Sequence, residues 1–302
     1  MTEQKTAFIA IVGCPNVGKS SILNRLLGEK IAIVSPKPQT TRTRIMGVLT
    51  DGAIQLVFTD TPGYHKPKTK LGEKMVKAVG EGIRDVDACL LVVEPKGEIR
   101  DEELTLIKKL KNEDIPAVLA INKVDTIENK EELLSRILEF SKLYNFNSIV
   151  PVSALDGNGL QDLLKELKAL SFPSQHLFPD DTLTDQPEKV IISEIIREKL
   201  LEMLSDEVPH GIAVGIEQLS ERDNANGESI MDISAVIYCE RDSHKGIVIG
   251  KGGAMLKKIG QLAREDIEEF FMIKTNLQLW VKVKEGWRNV EGVIRNFGLS
   301  SN

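Results

Sequence analysis

The sequence predicts an α/β protein in two parts: a domain with a mostly parallel sheet plus one antiparallel edge strand, followed by a smaller α+β domain. Three observations predict it. Apolar, β-rich runs alternate with helical patterns as far as about residue 170, as strand–helix–strand units do. From Ser171 to Lys189 the chain turns to Pro, Asp, Thr and Gln without either period, as an interdomain linker does. A different order then sets in: helix, strand, strand, glycine-rich loop, helix, strand. The expected limits are 1–172 for the first domain, 173–190 for the linker and 191–302 for the second.

In the first domain the strand–helix pairs are Ala7–Val12 with Ser20–Leu27, Ala88–Glu94 with Asp101–Lys111, Ala117–Ile121 with Lys130–Tyr144, and Ile149–Val152 with Gly159–Leu170. Ile45–Thr50 and Ala53–Thr59 break this rule, because only Asp51-Gly52 joins them. That dipeptide signals a hairpin, so one edge strand should run antiparallel. The second domain reads as a helix over Ser193–Leu204, strands over Ala213–Leu219 and Ile230–Cys239, a loop at Gly250–Gly253, a helix over Ala254–Phe270 and a strand over Leu277–Lys284.

With 302 residues, 41% of them hydrophobic, the chain can fill a core in both domains. No apolar stretch approaches the roughly 20 residues of a membrane span. Phe8–Val12 is too short for a signal-peptide core, and the expectation is a cytoplasmic protein. Cys14, Cys89 and Cys239 lie far apart without Cys-x-x-Cys spacing, so they read as reduced thiols rather than zinc or redox ligands. A net charge of −6 excludes a wholly basic nucleic-acid binder, and any such contact must come from a local patch.

Gly13-Cys14-Pro15-Asn16-Val17-Gly18-Lys19-Ser20 matches G-x-x-x-x-G-K-[ST] between the first predicted strand and helix, where a phosphate loop belongs. Backbone N–H groups there can wrap phosphates, Lys19 supplies a cation between the outer ones, and the Ser20 hydroxyl reaches magnesium. Ser21 extends this set. Asn122-Lys123-Val124-Asp125 ends an apolar strand. A carboxylate at 125 accepts from the ring N–H and exocyclic amine of guanine, a donor pair adenine lacks. Ser153-Ala154, after the next strand, can complete the base pocket with backbone N–H groups.

Asp60-Thr61-Pro62-Gly63 follows the second hairpin strand, delivering the Asp60 carboxylate to the magnesium sphere and the Gly63 N–H to the terminal phosphate. In the polar segment Pro38-Gln39-Thr40-Thr41-Arg42-Thr43-Arg44 a threonine hydroxyl can close over magnesium while the γ-phosphate is present. Thr41 is the choice and Thr40 the second. Lys19, Thr41 and Gly63 are therefore the residues expected to act on the reacting phosphate, and Ser20, Thr41 and Asp60 those expected to hold the metal. Where Ras has a water-orienting glutamine, this chain has Tyr64. A tyrosine cannot position the water in that way, so the expectation is slow intrinsic turnover accelerated by a partner. Asn16 resembles the asparagine of GTPases that hold potassium where an arginine finger would place its charge, and potassium is a second expected cofactor.

In the second domain, Ile249-Gly250-Lys251-Gly252-Gly253 carries the G-x-x-G loop of a KH domain. Between Arg241 and Arg264, six basic residues, among them Lys251, Lys257 and Lys258, outweigh Asp242. The patch fits single-stranded RNA, whose splayed bases a KH groove can read.

The five nucleotide motifs followed by this half resemble the Era family of bacterial GTPases over nearly the whole chain. Ser193–Leu200, Val248–Gly253 and Leu279–Lys284 are similar to Era segments outside any general GTPase pattern. The resemblance implies a P-loop GTPase domain and a type II KH domain. It also implies a monomeric factor in 30S ribosomal subunit assembly that binds GTP or GDP and the single-stranded 3′ end of small-subunit rRNA. Peripheral association with the inner membrane belongs to the same implication. A related GTPase of tRNA modification, and an RNA chaperone gated by nucleotide, are the alternatives that the residues leave open.

Overall fold

The structure is a computed structural model describing residues 3–35, 37, 40–64, 67, 69–84, 86–205, 208–224, 226–297 and 299. Pro38 and Gln39 of the predicted switch segment lie outside the described residues. The chain divides into two compact units, the boundary falling between Asp185 and Gln186.

The first unit contains β1 (Lys5–Gly13), α1 (Lys19–Leu27), β2 (Ile45–Asp51), β3 (Ile54–Asp60), α2 (Lys70–Arg84), β4 (Ala88–Val93), α3 (Asp101–Glu113), β5 (Ala117–Ile121), α4 (Lys130–Leu143), β6 (Ser148–Pro151), α5 (Leu160–Ala169) and β7 (Phe172–Pro173). The sheet order is β2-β3-β1-β4-β5-β6, all parallel except β2, which pairs antiparallel with β3 at the edge. β4 and β5 are fully buried apolar runs, as central parallel strands covered on both faces must be. β1 lies where the chain turns from one side of the sheet to the other. The loop after it therefore opens into the crevice at the strands' carboxyl ends, where such sheets bind ligands. Register brings the motifs to that same end: Ile11 lies opposite Asp60, Gly13 opposite Val92 and Ile121 opposite Pro151.

Three features depart from the expectation. Helix α2 went unassigned in the sequence, although Leu71, Met75, Val79 and Ile83, all nearly fully buried, recur every four residues. The expected linker is not structureless. Phe172–Pro173 adds to β1 as a second antiparallel pairing, and the next helix starts at Glu188, five residues before the predicted Ser193. The segment also lies along the edge strand: Val48 N donates to Leu183 O at 2.9 Å, and Thr184 Oγ1 donates to Met46 O at 2.6 Å. Gln55, fully buried, anchors it by accepting from Leu177 N (2.8 Å) and Phe178 N (3.0 Å) and donating to Phe178 O (2.9 Å). This edge is thereby covered, which removes a site for unwanted strand pairing.

The second unit contains α6 (Glu188–Met203), β8 (Ile212–Asp223), β9 (Ser229–Cys239), α7 (Asp242–Ile249), α8 (Ala254–Phe271), β10 (Lys274–Val283) and α9 (Glu291–Asn296). Its sheet runs β10-β9-β8, with β8 antiparallel and β10 parallel to β9. Ile192, Ile196 and Leu200 of α6 and Ile259, Ala263 and Ile267 of α8 pack on Ile233, Ala235 and Ile237. The short helices α7 and α9 were not expected. All three cysteines are buried and unbridged. Burial pushes Cys14 and Cys239 to about 11 and Cys89 to about 12, so none is a thiolate near neutral pH.

Replacing Gln55 by Ala leaves the Leu177 and Phe178 N–H groups without their acceptor. It should lower unfolding free energy by about 2 kcal/mol, read as a shifted midpoint in urea denaturation. Unchanged stability would show that the 174–185 segment is not held by this side chain.

Candidate functional site

The phosphate loop lies close against both the Asn122 side chain and the Asp60 loop. A Cβ on Gly18, whose φ is +96°, would sit 2.1 Å from Asn122 Nδ2, and one on Gly63 would sit 2.7 Å from Pro15 Cα. Tyr64 N donates to Gly13 O at 3.1 Å, and Thr61 Oγ1 donates to Ile11 O at 2.8 Å, which ties the loop after β3 to β1. Pro62 is buried in the same loop.

Three oxygens from separate segments converge here. Ser20 Oγ donates to Asp60 Oδ2 at 2.6 Å, Thr41 Oγ1 lies 3.3 Å from the same oxygen, and the two hydroxyls are 3.0 Å apart. Thr40 also lines the cavity next to these groups, but its hydroxyl donates to Lys37 O at 2.6 Å rather than to Asp60. Asp60 is fully buried and its Oδ1 has no hydrogen-bond partner. Burial pushes its carboxyl above the usual range, against the opposing pull of Lys19, Ser20 and Thr41. A cluster of small hard oxygens with an unsatisfied buried carboxylate fits a divalent cation such as magnesium. Lys19, also buried, donates to Gly13 O (3.3 Å) and Cys14 O (3.1 Å). Burial lowers its pKa, with Asp60 opposing; an anion beside it would offset that desolvation. One cavity is lined by Pro15, Asn16, Lys19, Ser20, Ser21 and Thr41, together with Gly63 and Lys123.

Asp125 and Ser153 are brought together: Ser153 Oγ donates to Asp125 Oδ1 at 2.6 Å, aiming the exposed carboxylate. Asn122 does a different job from contacting a base. Its Nδ2 donates to Val17 O at 2.8 Å and its Oδ1 accepts from Ala154 N at 3.0 Å, so one amide fastens the phosphate loop to the base loop. Two contributors escaped sequence reading. Glu94, read only as a strand's last residue, pairs with Lys123 (2.6 Å) and Arg100 (2.5 Å). Although burial pushes its carboxyl upward, these two partners hold it below the usual value. Arg25 donates to Ala154 O (3.0 Å) and Leu155 O (2.7 Å), clipping the base loop to α1; only its place on that helix hinted at it. The Tyr64 ring packs on the apolar cluster that includes Val79, Leu106 and Ile107, with Lys109 Nζ 4.8 Å from its centroid. Its side chain is thus committed to packing.

In the second unit the backbone of Gly250, Gly252 and Gly253 takes positive φ, forming the turn between α7 and α8. A groove follows between α8 and β10. It is lined by Gly253, Leu256, Lys257, Arg264, Leu277 and Leu279, with Arg222 and Lys274 at its far end. Of the predicted RNA set, Gly253 and Lys257 line it. Lys251 and Lys258 are exposed, and Ile249 is half-buried at the end of α7. Arg222 and Lys274 were missed because they come from strands distant in sequence.

A family model described as 50S ribosome-binding GTPase matches residues 8–123, and a KH domain model matches residues 207–288. GTPase Era of Clostridioides difficile is 51% identical over 294 residues, covering 97% of this chain and 98% of that protein. The Ruminiclostridium cellulolyticum GTPase Era is 48% identical over 298 residues, covering 99% and 98%. Two solved structures superpose with a TM-score of 0.94 over 99% of this chain and all of theirs. One is an Aquifex aeolicus Era variant bound to GDP and tetrafluoroaluminate, at 37% identity. The other is Era in complex with MgGDPNP and nucleotides 1506–1542 of 16S ribosomal RNA, at 36%.

Replacing Asn122 by Ala removes the link between Val17 and Ala154. Guanine nucleotide affinity, measured by calorimetric titration, should fall roughly ten-fold or more without loss of fold. Unchanged affinity would remove the link from the account.

Proposed function

The chain belongs to the Era family of GTPases, and from that membership and the site geometry we propose that it binds GTP and GDP with magnesium and, in its GTP form, the single-stranded 3′ region of small-subunit rRNA, so assisting 30S subunit assembly. The observation that carries the nucleotide half is the meeting of Ser20, Thr41 and Asp60 around one oxygen cluster beside Lys19. In this reading the loop from Gly13 to Ser21 cradles phosphates, Lys19 offsets charge on the outer ones, and the Gly63 N–H meets the γ-phosphate. Bound magnesium supplies charge neutralisation between the β- and γ-phosphates. Asp125, steadied by Ser153, accepts from the guanine edge, while Lys123, restrained by Glu94, flanks the site.

Hydrolysis relies on positioning more than on a side-chain base, since Tyr64 is engaged with the apolar cluster. Water is then oriented by backbone groups and the switch segments, and turnover is slow until a partner engages. Asn16, which lines the same cavity as Lys19 and Ser20, supports potassium as an additional cation. The RNA half rests on the groove beside Gly253, where basic residues meet Leu256 and Leu279: phosphates face the charges and unstacked bases the apolar wall. No described helix is long and apolar enough to cross a membrane. The proposed setting is a monomer in the cytoplasm, with peripheral association at the inner membrane.

RNA spanning 16S nucleotides 1506–1542 should bind the full chain roughly ten-fold more tightly with GDPNP than with GDP. Equal affinities would contradict the coupling. GTP turnover should rise when potassium replaces sodium, and equal rates would remove potassium from the site.

A further inference from the structure

The strand β10 is the edge of its sheet, and its two faces differ. Leu277, Leu279 and Val281 turn inward against the core, whereas Asn276, Gln278 and Trp280 form an exposed row on the opposite face. Trp280 is 57% exposed, although an indole is a costly surface to leave in water. It stands opposite Val236 on β9, which is fully buried, while Gln278 stands opposite Ser234 and Asn276 opposite Asp232. The far end of this face is capped by Tyr238, Phe297 and Trp287, their rings 4.7 and 5.4 Å apart in sequence of contact. Among the described residues, nothing covers the end carrying Trp280 and the amide side chains.

The groove described above reaches this row. Its lining combines the inward-facing Leu277 and Leu279 with Asn276, Arg222 and Ile230, which register places on the outer face with Asp232 and Trp280. Acids on that face are neutralised: Asp232 is held by Arg222 at 2.5 Å and by Asn276 at 2.8 Å, and Glu217 pairs with Lys282 at 3.0 Å. Four bases, Arg222, Lys257, Arg264 and Lys274, line the groove with the single acid Glu268. Among the described residues, a negatively charged chain leaving the groove thus meets no uncompensated acid on this face, and next meets the exposed amide of Gln278 and then a flat aromatic ring.

We propose that Trp280 is a base-stacking platform that extends the RNA-binding groove over the β10 edge, taking an unpaired base of a strand too long for the groove alone. The proposal rests on the RNA reading of that groove. Stacking on an aromatic ring is tolerant of base identity, so the platform lengthens the footprint and raises affinity while the groove retains sequence choice.

The chain has two tryptophans, and Trp287 is fully buried, so change in exposed indole emission reports Trp280. The test titrates the full chain, loaded with GDPNP, with the RNA spanning nucleotides 1506–1542 and with a single-stranded tetranucleotide cut from its 3′ part. The longer RNA should quench Trp280 emission, Trp280→Ala should weaken its binding roughly ten-fold, and Trp280→Phe should retain most of the affinity. Tetranucleotide binding should be unchanged by either variant. Should Trp280→Ala bind the longer RNA as tightly as the parent, while Gly252→Asp abolishes binding, the platform is wrong and the groove stands. Loss of self-association in Trp280→Ala with RNA affinity intact would assign the face to a second copy and overturn the proposal. RNA affinity that survives Gly252→Asp would overturn the groove reading, and the platform with it.

Discussion

The structure depends on one buried carboxylate. Asp60 lies at the end of a central strand, fully enclosed, with hydroxyls from α1 and from the segment before β2 both directed at its Oδ2. Burying an ionised carboxylate without compensation is costly, and two hydroxyls leave Oδ1 without a partner. A divalent cation would compensate that cost and add to the hydrogen bonds that join the three segments. In the function proposed above, the same cation is shared with a γ-phosphate, and the segment bearing Thr41 would thereby respond to the state of the nucleotide.

Around this point the scaffold is stiff. Asn122 fastens the phosphate loop to the base loop, Arg25 clips the base loop to α1, and Thr61 anchors the Asp60 loop to β1. Support of this kind under the phosphate and base contacts leaves the segment around Thr41 as the part proposed to change with the nucleotide. That division suits a switch, in which few contacts differ between states.

The nucleotide motifs were legible because their chemistry demands particular residues at particular spacings: glycine where backbones nearly touch, lysine and serine at a helix start, a carboxylate at a strand end. The parallel sheet and its antiparallel edge followed from alternation and from Asp51-Gly52. What the sequence hid were partnerships across distance. Gln55 looks like any strand residue until Leu177 and Phe178 return to it, and Glu94 gains its role only through Lys123 and Arg100. Helix α2 was obscured by Gly72, Gly80 and Gly82, whose poor helix propensity masked an apolar stripe repeating every four residues. In the second unit, a short helix containing Gly246 hid in an apolar run. The groove's outer wall draws Arg222 and Lys274 from different strands, a proximity that only the sheet creates.

The most direct test of the shared-cation account is the magnesium affinity of the full chain loaded with GDPNP or with GDP, in the parent and in Thr41→Val. The account predicts weaker magnesium binding in the variant with GDPNP and no change with GDP. An equal loss in both nucleotide states, or none in either, would contradict it.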